Sequence, residues 1–272
     1  MTLESPKVMG ILNVTPDSFY DGGKFNQEET YLTQVEKMIG EGADFIDVGG
    51  MSSRPGADII SIEEELNRVI TPIQKILKAF PDAIISIDTV HAEVARVAVD
   101  NGALMVNDIS AGQLDDNMLT TVGRLNVPYI AMHIKGKPQS MQFNPTYENI
   151  TLEILDYFIA LLKKCKAAGI KDVIIDPGFG FGKTITHNFS LLHNLKDLDM
   201  LERPVLVGIS RKSMIYKSLN ISPDEALNGT TALHMVALQN GASILRVHDV
   251  KEAVECVQLW KSLQKQVSAT PI

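Results

Sequence analysis

Eight short apolar runs in this sequence end on a polar side chain: Asn13, Asp47, Asp88, Asn107, His133, Asp176, Ser210 and Arg246. Two carboxylates with an amide between them, as at Asp88, Asn107 and Asp176, accept N–H groups and donate to a carbonyl. That is the chemistry that reads the donor-rich edge of a heterocycle such as an aminopyrimidinone. Arg54, Lys212, Arg246 and His248 supply the complementary groups, because guanidinium and ammonium suit the oxygens of an anion such as phosphate. Taken singly, Asp or Asn at such a place serves equally well as a turn former or helix cap. Eight polar ends in one chain point instead to a shared pocket.

The segment DPGFGFGKT at 176–184 resembles a phosphate loop only superficially. Walker A spacing requires glycine where Pro177 stands, and Gly178, Gly180 and Gly182 alternate rather than following G-x-G-x-x-G. Glycines here let the backbone approach a flat ring, with Phe179 or Phe181 to stack on it and Lys183 to give a hydrogen bond or charge contact. Two further glycine-rich stretches, 15–25 and 49–57, carry Asp17, Phe19, Asp21, Ser53, Arg54 and Pro55. Loops of this composition are either plain connections or lids that close over substrate and exclude water.

Something must bring these distant residues together. The apolar runs at 8–14, 44–49, 83–88, 104–108, 129–133, 172–176, 204–210 and 243–248 do not alternate with polar residues, so both of their faces are covered, as in a parallel sheet flanked by helices. Helical spacing follows over 28–40, 62–79, 91–101, 116–125, 149–168, 187–200, 223–240 and 249–265. Eight such units predict an α/β fold, a (β/α)8 TIM barrel forming a single domain over 1–272, with its active site at the carboxyl ends of the strands. Periodicity alone leaves an open doubly wound sheet as the alternative.

Composition narrows the function classes. A net charge of −8 and a pI near 5.3 exclude a general nucleic-acid surface, which needs clustered cations. No apolar stretch reaches bilayer length and the opening MTLESPK lacks a signal core, so no membrane partner and a cytoplasmic location are expected. Cys165 and Cys256 are far apart and read as core thiols.

The motifs MGILNVTPDSF (9–19), FIDVGG with SSRPGA (45–57), SIDT (86–89), VNDISAG (106–112), MHIKG (132–136), DPGFGFGK (176–183), GISRKS (208–213) and RVHDV (246–250) resemble, in order and over nearly the whole chain, the dihydropteroate synthase family. The resemblance implies joining 7,8-dihydropterin-6-ylmethyl diphosphate to 4-aminobenzoate, on a barrel that is usually a homodimer. It places Asp88, Asn107, Asp176, Lys212 and Phe181 around the pterin, with Asp88, Asp176 and Lys212 as the catalytic set. It gives Asn13, Arg54, Arg246 and His248 to the diphosphate, and Phe19, Ser53, Pro55, Phe181, Lys212 and Ser213 to the aminobenzoate. Asn13 is also the implied ligand of Mg2+. The implied mechanism expels diphosphate first and leaves a delocalised cation for the aryl amine to attack.

One departure is visible. The family usually has Glu-Ser-Thr where this chain has Met51, Ser52 and Ser53, which removes a charge and a methyl group but keeps a hydroxyl. Competing readings are a pterin-binding methyltransferase barrel, against which the SRKS and RVHD segments speak, and a binding protein without activity. A dinuclear amidohydrolase lacks its H-x-H pair on the first strand.

Overall fold

The computed structural model describes residues 3–15, 24–51, 59–136, 141, 143 and 145–269, the side chains of 24–29 and 266–269 excepted. Its strands are β1 (Lys7–Asn13), β2 (Phe45–Gly49), β3 (Ile85–Asp88), β4 (Met105–Asp108), β5 (Tyr129–Met132), β6 (Val173–Asp176), β7 (Val205–Val207) and β8 (Ala242–Val247). All pair in parallel with their sequence neighbours, and β8 returns to β1, so the sheet closes and the open alternative falls away. The helices are α1 (Lys24–Gly40), α2 (Ile62–Ala79), α3 (Ala92–Asp100), α4 (Met118–Leu125), α5 (Ile150–Ala167), α6 (Ile185–His193), α7 (Ser213–Leu219), α8 (Leu227–Gln239) and α9 (Val250–Ala269).

Successive strand residues face opposite sides of a sheet, and that parity sorts the chain into two cores. Val8, Leu12, Ile46, Val48, Ile85, Ile87, Val106, Ala131, Ile175, Val207 and Leu245 face outward and pack against the helices. Met9, Phe45, Met105, Ile130, Ile174, Leu206 and Ile244 form a separate cluster inside the barrel. Each such fully buried side chain stabilises the fold by about 1.5–3 kcal/mol relative to exposure, so the interior is a firm plug rather than a pore. Two residues further along the even strands, the same parity puts Asp47, Asn107, Asp176 and Arg246 on top of that plug. The polar layer is therefore a barrel layer like the apolar one beneath it, built from alternate strands.

The helix expected at 62–79 has those bounds. The stretch 187–200 does not form one helix: α6 stops at Asn194 and a 3-10 helix follows over Leu195–Leu201. Likewise 223–240 divides into a 3-10 turn at Pro223–Glu225 and α8. The seven-residue α7 was not foreseen, because two turns are too short for a helical period to declare itself and Asn220, left-handed at φ 55°, ends it abruptly. Cys165 and Cys256 are buried and unpaired, as core thiols should be. Among the described residues, no helix is long and apolar enough to cross a membrane.

Candidate active site

At the carboxyl ends of the strands, Arg246 stands among the acids rather than apart from them. Its Nε donates to Asp47 Oδ2 at 2.6 Å and a terminal nitrogen donates to Asp88 Oδ2 at 2.7 Å. Asn107 Nδ2 donates to the same Asp47 oxygen at 2.9 Å. Strands β2, β3, β4 and β8 thus meet in one buried network, in which Asp47 is 0 % exposed and Asp88 8 %. Gly49 is level with Asn13 and Asp88 in the register and lies between their side chains, since a Cβ there would be in ordinary contact with Asp88 Oδ2 at 3.6 Å and Asn13 Oδ1 at 3.7 Å.

The opposite wall comes from β6 and β7. Asp176 Oδ1 accepts the Gly178 N–H at 2.7 Å, which sets the first turn of the 176–184 loop. A Cβ at 178 would overlap the His133 carbonyl oxygen, so glycine is the residue that fits this turn at φ 71°. Lys212 precedes α7, donates to the Phe179 carbonyl and holds its ammonium 4.6 Å from the centre of the Phe181 ring, a cation–π contact. Ser213 follows it as the first residue of α7. Phe181 belongs to an apolar patch with Met51, Val90, Ile109, Met132 and Ile134, which gives the mouth a flat hydrophobic side. Phe179 is wholly buried in the outer core, so Phe181 alone of the two is placed to meet a ring.

Lys183 departs from its expected role. Its ammonium is buried and donates to the carbonyls of Gly178 at 2.9 Å and Phe181 at 3.1 Å and to His133 Nδ1 at 3.0 Å. It ties the loop to β5 from beneath instead of reaching ligand. His133 must then be neutral, and burial with the nearby Lys183 and Lys135 pushes its pKa down to about 2. His248, exposed at the rim, pairs its Nδ1 with Ser210 Oγ at 3.0 Å. Desolvation, then Arg246, lowers it to about 4, so it is neutral at pH 7. Phe19, Ser53, Arg54 and Pro55 lie outside the described residues.

The electrostatics are those of a site rather than of a resting surface. Burial raises Asp88 to about 7 against the pull of Arg246, with Asp47 contributing to the rise. Burial also raises Asp176, opposed first by Lys212, and lowers Lys212 to about 8 against the pull of Asp176. Asp47 and Asp88 together hold Arg246 above its ordinary range despite desolvation. A separate depression of about 610 Å³ near Lys163, Lys166, Lys171 and Arg203 lies at the other end of the barrel, beside the start of β6, away from every one of these groups.

Sequence reasoning named Asp47 as a strand end but gave it no role. Its parity with Phe45 was the available signal. The apolar patch of Met51, Ile109 and Met132 carried no comparable signal, since buried methionine and isoleucine look alike wherever they pack.

A closed parallel barrel that sets acids, an amide, an arginine and a lysine around one mouth at the carboxyl ends of its strands has the architecture of a (β/α)8 barrel enzyme with a polar pocket. The model of the pterin binding enzyme family matches residues 9–248. The dihydropteroate synthase of Haemophilus influenzae is 44% identical over 264 residues, covering 96% of this chain and 95% of that one. The dihydropteroate synthase of Yersinia pestis, solved in a sulfonamide drug complex, superposes with a TM-score of 0.91 at 41% identity, covering 97% and 96% of the two chains. That of Xanthomonas albilineans, in complex with 7,8-dihydropteroate, gives 0.87 at 37% identity, covering 100% and 97%. The chain belongs to the pterin-binding enzymes and, within them, to the dihydropteroate synthase family.

Proposed function

We infer that this barrel condenses 7,8-dihydropterin-6-ylmethyl diphosphate with 4-aminobenzoate to give 7,8-dihydropteroate and diphosphate. The observation that carries the reading is the single mouth in which Asp88, Asn107 and Asp176 face the same space as Lys212 and Arg246. The family relation, and the dihydropteroate held by the Xanthomonas albilineans enzyme, agree with it. The three acceptors take the pterin edge, and Phe181 with its apolar patch flanks the ring plane. Lys212 donates to the ring and, with Ser213 and Phe181, borders the aminobenzoate. The free edge of Arg246, with His248 and Asn13, holds the diphosphate. Arg54, Phe19, Ser53 and Pro55 complete the two subsites in the resemblance.

The bond between the methylene carbon and the diphosphate oxygen breaks, and its electron pair leaves on the oxygen. The amine nitrogen then bonds to that carbon and gives its proton to solvent. Residues that neutralise the leaving group and residues that hold the acceptor in line each lower the barrier. Among the described residues, no three His, Cys, Asp or Glu side chains cluster to hold a metal. A lone amide oxygen beside the mouth, as Asn13 offers, suits Mg2+, which keeps waters and takes its remaining ligands from substrate phosphates. Bound there with diphosphate, Mg2+ would neutralise the departing charge.

The reading includes a cytoplasmic homodimer. Helices α8 and α9 lie against one another, and Val236 on the first and Leu259 and Leu263 on the second are 37%, 62% and 52% exposed, apolar area that a second copy would cover.

Diphosphate release should require 4-aminobenzoate, fall at least about tenfold on chelation and return with Mg2+. Release without the amine would instead make the chain a hydrolase, and binding of pterin without release would make it a binding protein. The pH profile is a second check. Asp88 takes up a proton as pH falls through about 7, losing the charge that the site uses, and Lys212 loses its proton as pH rises through about 8. Steady-state kcat/KM should therefore decline on both sides of a narrow optimum near 7.5. A profile flat from pH 6 to 9 would remove both groups from the rate-controlling step.

A further inference from the structure

Asp47 touches no space that a substrate can reach, yet it is the junction of the site. It is wholly buried, on β2, and one oxygen, Oδ2, accepts from Asn107 on β4 and from Arg246 on β8. Its other oxygen makes no hydrogen bond among the described residues. The group of Asn107 that faces Asp47 is the amide NH2, donating to the same oxygen that accepts from Arg246. The amide plane of Asn107 is thereby fixed with Oδ1 directed away from Asp47.

We propose that Asp47 is a positioning residue that sets the enzyme's preference for an amino-substituted ring. By engaging one N–H of Asn107 Nδ2 it holds the amide in one orientation, with Oδ1 on the side away from Asp47. Oδ1 then joins Asp88 and Asp176 as an acceptor for the ring's amino group, and a ring with a carbonyl there is rejected. The proposal rests on the reading that Asn107 and Asp176 hold the pterin edge. Without Asp47, the Asn107 amide turns freely and offers donor or acceptor as the ligand demands. Arg246, released at Nε, also loses one of the two bonds that aim its remaining edge.

The test compares the pterin diphosphate with its counterpart in which the ring amino group is replaced by a carbonyl. In Asp47→Ala, KM for the pterin diphosphate should rise about tenfold or more, while KM for 4-aminobenzoate stays within about twofold. The ratio of kcat/KM for the amino over the oxo ring should fall at least about tenfold. Asp47→Asn, which keeps an oxygen where Oδ2 lies, should lose rate but retain that ratio, and it also serves if the alanine variant fails to fold. An undiminished ratio in Asp47→Ala, equal rises in both KM values, or loss of the ratio in Asp47→Asn would each overturn the proposal. Failure of the unaltered chain to turn over the pterin diphosphate would instead overturn the function itself, so the two failures are told apart.

Discussion

Asp88→Asn is expected to reduce kcat about 10²-fold while leaving the melting temperature unchanged or slightly raised. A carboxylate about 5 Å from a developing cation contributes about 3 kcal/mol at an effective dielectric near 20, which corresponds to that factor. Enzymes need more than roughly 8 kcal/mol, so Asp88 is not the whole of catalysis. Holding two substrates in line supplies about 7 to 11 kcal/mol and is left intact by this change. The stability half follows from the sign of the pKa shift. Burial raises the Asp88 carboxyl to about 7, above its ordinary 3.8, so the folded chain binds that proton more tightly than the unfolded chain does. This group's contribution to stability improves as pH falls through about 7, and asparagine mimics the protonated form at every pH. Steady-state kinetics and thermal denaturation of the one variant check both halves. A variant with normal kcat would take Asp88 out of the reaction, and one that melts far below the parent would make its role structural.

The same physics explains which features were legible in the sequence. Runs such as IISID and VIID are apolar on both faces because the interior plug and the helices each take one face, and that pattern reveals the parallel barrel. The polar strand ends were legible because a barrel with nothing to bind has no reason to place Asp88, Asn107, Asp176 and Arg246 over an apolar plug. What the residue types could not reveal was their pairing. Arg246 reads as an anion ligand, and nothing in the sequence shows that Nε and one terminal nitrogen are already committed to Asp47 and Asp88, leaving a single edge free. Lys183 reads as a ligand contact until it is seen to be buried under the loop, satisfying three acceptors. Both are long, flexible side chains, and only tertiary structure decides which way such a chain turns. One helix boundary failed for a local reason: Asn194 ends α6 within the stretch 187–200, whose apolar spacing runs on.

Arg246→Ala is expected to be the most damaging single change, and to damage stability and activity for separable reasons. Arg246 bonds to two carboxylates, one of them with no solvent exposure at all. Removing Arg246 costs about 3–5 kcal/mol, because the wholly buried Asp47 is left with neither water nor counter-ion, whereas in Asp88→Asn the arginine keeps Asp47. In a chain of this length that lowers the melting temperature on the order of 10 °C. Turnover should fall on the order of 10³-fold or more, since the leaving diphosphate loses a donor and Asp88 loses the group that orients it. Adding Asp47→Asn to Arg246→Ala removes one of the stranded charges and should return part of the lost melting temperature without returning turnover. The stability cost belongs to the acids, whereas the catalytic cost belongs to the guanidinium. Arg246→Lys should fall between, because a single ammonium keeps the charge but cannot span both carboxylates with the fixed fork that Nε and a terminal nitrogen provide. If Arg246→Ala melted like the parent, Asp47 and Asp88 would have to be neutralised by protonation or balanced by another cation. If the double variant regained turnover along with stability, the arginine would be a structural strut and the diphosphate would have to be held elsewhere.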